Sequence, residues 1–290
     1  MTMNRRNFIY NTTLLAAAAA TQACTRTIAH HTPAAGIQLY MLRDEMAADT
    51  PGTLKKLGQL GYTQIESYGG DKGVFWGMTN TDFKKLAADN GLSLISTHYN
   101  DGTPQEFERL AARCAEVGMK YLICPWLGPQ KSIDDFKRFA DVFNQRGTVC
   151  QKYGLRYGYH PHDYPYQPVD GRLPIDVLLK HTDPDLVYYQ MDVYYTVTQG
   201  QDPYAYLSQH KGRFKLMHMR DVLKQRLPAG SKEESACDLG EGVINFPKLI
   251  AAAEDNGMEY FFVEQSRYLN ETPLQSAQKN AAYLKGMRLV

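Results

Sequence analysis

The sequence predicts a single-domain α/β fold, a (β/α)8 TIM barrel, on three observations. Eight short apolar runs recur along the 290 residues, amphipathic segments separate them, and helix-capping signals recur at the boundaries. The runs are 36–42, 62–68, 92–98, 120–126, 155–160, 186–194, 214–220 and 259–265, with starts 26 to 45 residues apart, room for one strand and one helix each. They are apolar on both faces, as parallel strands covered on both sides must be.

The helices announce themselves at both ends. Thr50-Pro51, Thr103-Pro104, Asp202-Pro203 and Thr272-Pro273 each set an oxygen-bearing cap before a proline at the first helical position. Thr103 with Glu106 completes a capping box. Gly61, Gly91, Gly118, Gly154 and Gly257 close helices just before the next strand, where a left-handed residue is needed. An open doubly wound sheet is the rival fold, but neither GxGxxG nor GxxxxGK[ST] follows the first run. One connection is long, from Asp221 to Asn245. It carries the turn-prone Leu227-Pro228-Ala229-Gly230 and Gly240-Glu241-Gly242 and reads as a functional loop.

Ahead of the barrel, residues 1–24 read as an export signal and 25–35 as a linker, leaving 36–290 for the barrel. Arg5-Arg6-Asn7-Phe8-Ile9, Leu14-Leu15 and five alanines give a charged start and a short apolar stretch of the twin-arginine kind. Cys24 after Ala23 resembles a lipoprotein cleavage box, although Thr21 stands where a branched aliphatic residue is usual. The expectation is an exported protein, periplasmic or held at a membrane through a lipid on Cys24. Cys114, Cys124, Cys150 and Cys237 lack CxxC spacing and read as buried packing. Lys and Arg number 32 against 31 Asp and Glu, a balance that argues against a nucleic-acid partner. After position 25 no apolar run is long enough to span a bilayer.

The reactive face of such a barrel is the C-terminal end of its strands. There the runs end in Gln38 and Tyr40, Glu66, His98, Trp126, His160 and His162, Asp192, His218 and Arg220, and Glu264. Burying these groups unpaired would cost several kcal/mol each, by order of magnitude. A bound cation offsets that cost for Asp192 and Glu264, with neutral imidazoles as further ligands.

The chain resembles the xylose isomerase-like barrel superfamily of sugar isomerases and epimerases, inosose dehydratases and endonuclease IV. The resemblance runs from about Gly36 to Leu284 and rests on Gly36-Ile37-Gln38-Leu39-Tyr40-Met41-Leu42-Arg43-Asp44, Gly158-Tyr159-His160-Pro161-His162-Asp163, Met191-Asp192-Val193-Tyr194, His218-Met219-Arg220-Asp221, Leu239-Gly240-Glu241-Gly242 and Phe262-Val263-Glu264-Gln265. It implies one divalent metal held from strands five to eight, matched here by Asp192, His218 and Glu264. At strand five the epimerases place a glutamate, and this chain has His160, with His162 the alternative ligand. Two histidines and two carboxylates suit Mn, Zn, Co or Fe better than Mg.

That departure removes one of the epimerases' two proton-transfer glutamates. What is left is Glu264 as base with His162 or His98 as acid. Glu66, Trp126, Tyr195 and Arg220 are the expected substrate contacts, with pairing to Arg43 or Arg220 the blander role for Glu66 and capping the role for Asp221. The leading expectation is a metal-dependent isomerase or epimerase of a non-phosphorylated sugar or keto-sugar. A lyase or dehydratase of a keto-sugar or keto-inositol is the first alternative, and a non-catalytic carbohydrate-binding surface protein the second. An abasic-site endonuclease needs about nine ligands for three zinc ions, more than the strand ends supply. Self-assembly into a homo-oligomer stays open.

Overall fold

The computed structural model describes residues 34–100, 102–224, 235–268 and 270–288. The leader with Cys24 and the turn 227–230 lie outside the described residues. Eight parallel strands close a barrel: β1 (Ala35–Gln38), β2 (Gln64–Tyr68), β3 (Ser93–His98), β4 (Tyr121–Cys124), β5 (Arg156–Tyr159), β6 (Val187–Asp192), β7 (Phe214–Met219) and, beyond a two-stranded excursion of β8 (Asp221–Val222) with β9 (Ala236–Cys237), β10 (Tyr260–Val263). Strand β10 pairs with both β1 and β7, which shuts the cylinder. Among the described residues, ten α-helices lie between and after the strands: α1 (Arg43–Ala48), α2 (Thr50–Leu60), α3 (Asn80–Asp89), α4 (Pro104–Glu116), α5 (Ile133–Lys152), α6 (Pro174–His181), α7 (Val193–Thr198), α8 (Pro203–Gln209), α9 (Phe246–Asp255) and α10 (Pro273–Gly286).

The caps form largely as the sequence predicts. Thr103 and Thr272 each make a full capping box, with Glu106 and Gln275, and Asp202 accepts from the Tyr204 amide. At α2 the cap is Asp49 rather than Thr50, because the aspartate carboxylate reaches the Gly52 amide and Thr50 becomes the first helical residue. Gly61, Gly91, Gly118, Gly154 and Gly257 all have positive φ.

Most strands are shorter than the sequence reading, and two of them, β1 and β6, stop at a site residue that starts a helix. The Gln38 side chain accepts from the Tyr40 amide, turning 39–42 into a 3-10 helix instead of more strand. Asp192 does the same at β6, accepting from the amides of Tyr194 and Tyr195 and starting α7. Apolar character alone could not locate these ends, since the residues after them are also buried.

Inside the cylinder Ile95, Tyr121, Ile123, Leu216 and Phe262 form a dry plug. Below it, Glu259 receives Arg156 (2.7 Å), Lys215 (3.2 Å) and the Tyr121 hydroxyl (3.0 Å). Gly36 is the residue that admits Phe262, since a Cβ there would lie 2.6 Å from its ring. Outside the cylinder, Tyr157 and Tyr159 pack on Phe143 of α5, at 5.6 and 5.2 Å between centroids, so much of the tyrosine excess is packing.

The long connection is anchored by Asp221. Its Oδ1 accepts from the amides of Val222 (2.8 Å) and Ile244 (3.1 Å), and its Oδ2 from those of Gly240 (3.0 Å) and Gly242 (3.1 Å). Gly242 is obligatory, because a Cβ would sit 2.3 Å from the Val222 carbonyl oxygen. The capping role expected of Asp221 is therefore the observed one. Asp221→Ala strands four amides and lowers stability by about 2–4 kcal/mol. A denaturant midpoint unchanged within error would contradict that.

Candidate functional site

The polar residues at the strand ends converge because they occupy alternate positions pointing into the barrel: Leu216 then His218, Tyr188 then Gln190 then Asp192, Phe262 then Glu264. Pairing of Asp192 with His218 across β6 and β7 sets two of them side by side. Each of His160, Asp192, His218 and Glu264 offers one donor atom, and the four atoms lie within 4.8 Å of one another. His98, His160 and His218 form a second such group. All of these residues but Glu264 are buried.

Two buried cations balance the carboxylates. His218 Nδ1 meets Glu264 Oε2 at 3.0 Å, and its Nε2 meets Glu66 Oε1 at 2.5 Å. Burial works against a charged His218, yet Glu264 and Glu66 overcome it and raise the ring to about 10. Burial likewise disfavours ionised Glu264, and the neighbouring His218 and Arg220 reverse that and lower its pKa. Asp192 is raised by burial in spite of the Arg220 guanidinium, which donates to its Oδ2 at 2.5 Å. His160 is different. Burial, reinforced by the neighbouring histidines, keeps it neutral, and its Nδ1 makes no hydrogen bond among the described residues. A neutral imidazole, a second histidine and two carboxylates around one point fit a divalent ion of intermediate hardness.

A cavity of about 360 Å³ opens over the cluster, lined by Tyr40, Tyr68, Tyr99, Asn100, Trp126, His98, His160, His162 and Glu264. Trp126 and Tyr40 stand nearly half exposed at its mouth, 45% and 48%. The Trp126 ring meets His162 and Tyr164 edge-on, both at 4.9 Å, and the Tyr164 hydroxyl takes the amides of Leu127 and Gly128, which fixes that loop. His162 is driven down to about 3 by burial and stands as a neutral ring outside the four-donor group.

Several expectations need correction. Glu66 does not face the cavity; it is fully buried, and it pairs with His218 and His98 rather than with Arg43 or Arg220. Arg220 is bound to Asp192 and Ser266 (2.6 Å) and lies over the Tyr194 and Tyr195 rings, so it holds a carboxylate instead of lining the cavity. Tyr195 sits on α7 against His162 (5.1 Å), behind the cavity wall. The imidazolium acid expected at His162 is missing, because burial keeps that ring neutral, while His98 lines the cavity with its Nε2 2.8 Å from Gln190 Oε1. Sequence reasoning missed Gln190 altogether, although its position two residues before Asp192 was a readable signal.

A closed parallel barrel with histidine and carboxylate donors gathered at its C-terminal mouth belongs to the class of TIM barrels built around a metal-binding reactive end. Residues 54–287 match the xylose isomerase-like TIM barrel family, and the chain belongs to that family. An inosose dehydratase of Clostridium beijerinckii is 27% identical over 165 residues, 52% of this chain and 54% of that protein. This chain thus spans about half the length of the curated relatives it matches. Two solved structures of a sugar phosphate isomerase/epimerase from Parabacteroides distasonis superpose with TM-scores of 0.76 and 0.74, at 29% and 27% identity. They cover 87% and 91% of this chain and 98% and 97% of their own.

Proposed function

We propose that the protein is a divalent-metal-dependent lyase that eliminates water, or another β-substituent, from a non-phosphorylated keto-sugar or keto-inositol. The observation that carries this reading is the pairing of a four-donor cluster with one neutral histidine, His162, on the wall of the same cavity. His160, Asp192, His218 and Glu264 would hold the ion, with Mn, Zn, Co or Fe favoured over Mg. When bound, that ion supplies the Lewis acidity that makes the carbon beside a carbonyl acidic.

The chain's own residues do the rest. His162 takes the proton from that carbon. The freed electron pair forms a carbon–carbon double bond while the bond to the β-oxygen breaks. The imidazolium so made returns its proton to the leaving oxygen, water departs, and His162 is neutral again. One reversible base suffices for elimination, whereas epimerisation through paired carboxylates lacks its strand-five member here. The inosose dehydratase relatives support the lyase reading, and the Parabacteroides neighbours support isomerisation as the second one.

Metal-loaded protein incubated with a keto-inositol in D2O tests the choice. A lyase produces the ultraviolet band of a carbonyl conjugated to a new double bond. Solvent deuterium in a recovered isomer without that band means isomerase, and neither signal across a panel of keto-sugars overturns both. Trp126 offers an apolar face for a sugar ring, so Trp126→Ala raises KM about tenfold with kcat nearly unchanged. A fall in kcat at constant KM would deny it that role.

We also propose that residues 1–24 direct export, with Cys24 as the lipid attachment point. Mass spectrometry of the protein from membranes finds a lipidated N-terminal Cys24 on this reading, and an intact Met1 in the cytosolic fraction contradicts it.

A further inference from the structure

Beneath the four-donor cluster lies a carboxylate that no step above uses. Glu66 is fully buried, and five side chains with polar hydrogens surround its carboxylate. Its Oε1 receives Gln38 Nε2 (2.7 Å) and His218 Nε2 (2.5 Å), and lies 3.1 Å from His98 Nε2. Its Oε2 receives Ser96 Oγ (2.6 Å) and Gln190 Nε2 (2.9 Å). These partners come from β1, β3, β6 and β7, so one side chain ties half the barrel together.

The register was arranged for this. Strand β2 slips by one residue against β3 between Ile65 and Glu66, which sets Glu66 opposite Ser96. Strand β6 slips against β7 between Tyr189 and Gln190, just where Gln190 turns inward. Two irregularities, in ladders on opposite sides of the barrel, deliver the two residues that meet across its interior.

We propose that Glu66 is the positioning residue of this site: touching neither substrate nor ion, it dictates which nitrogen of His218 and of His98 faces upward. A carboxylate only accepts, so the metal-free His218 donates from Nε2 to Glu66 and from Nδ1 to Glu264; because Glu66, buried beneath, holds the Nε2 proton, Nδ1 is the nitrogen that would be freed for an ion in the donor cluster. The Gln190 amide is oriented by the same rule. Its Nε2 must face Glu66, its Oε1 therefore faces His98, and His98 must donate from Nε2. One acceptor thus orders two rings through a direct bond and a relayed one. The consequence for metal affinity rests on the proposed function, while the proton placement does not.

Two readouts keep those apart. In the metal-free wild type, two imidazole Nε2 protons, from His218 and His98, are protected from solvent exchange and visible by NMR. In Glu66→Gln both are lost, and titration with Mn²⁺ or Zn²⁺ shows affinity about 10–100-fold weaker. Gln190→Met removes only the relay and leaves His98 Nε2 3.1 Å from Glu66 Oε1, so both protons stay and metal affinity holds within about threefold. Ser96→Ala removes a Glu66 partner that is not a histidine, and serves as the control for plain destabilisation: both protons stay and affinity stays within about threefold. Protons retained in Glu66→Gln would overturn the proposal, and so would Ser96→Ala weakening metal as much as Glu66→Gln. A wild type that binds neither ion but shows both protons would sink the metal reading alone.

Discussion

The double variant His218→Ala, Glu264→Gln purifies as a folded barrel with less than roughly a tenth of an ion per chain, where the wild type holds close to one. Two of four donors are gone, one of them the fully buried histidine at the centre of the carboxylates. The amide at 264 cannot replace a carboxylate's charge, and the space left at 218 gives an ion no ligand. Losing His218 also leaves Glu66 without its closest donor, so a stability loss of a few kcal/mol accompanies the metal loss. Circular dichroism separates the two effects, and metal analysis by mass spectrometry reads the first. Full metal content in the folded double variant would put the ion elsewhere.

His162→Ala has the opposite signature. His162 lies outside the four-donor group, so the variant keeps its ion while kcat on the eliminated substrate falls about 10²–10⁴-fold. The imidazole rests on the rings of Trp126, His160 and Tyr195, and removing it opens space without exposing a buried charge. Unchanged kcat would assign the proton transfer to another residue, Glu264 first. Loss of metal together with rate would make His162 a ligand.

The contrast between these variants follows from what the sequence could and could not say. The polar residues at the strand ends were readable because each lies at the end of an apolar run and the period of two puts them on one face, while the choice of four of them as ligands came from the family resemblance. The barrel was readable from glycine and proline punctuation that recurs at seven of the eight units. Partner choice was not. Glu66 read as a substrate contact, or more blandly as a partner of Arg43 or Arg220, and only the slipped ladders at Ile65/Glu66 and Tyr189/Gln190 bring it under His218 with Gln190 alongside. Tyr195 was misplaced for a related reason: Asp192 caps a helix at the point where the strand pattern still looked unbroken, which swings Tyr195 behind the wall. Protonation was the other blind spot. His162 reads as an acid in sequence, but its burial beside Trp126 keeps it neutral.

Anomalous diffraction from crystals grown with Mn²⁺ or Zn²⁺ tests the central claim most directly. The account predicts a single peak at the C-terminal mouth of the barrel, with one atom each from His160, Asp192, His218 and Glu264 at about 2.0–2.3 Å. A peak held by other residues, or none at millimolar metal, would contradict it.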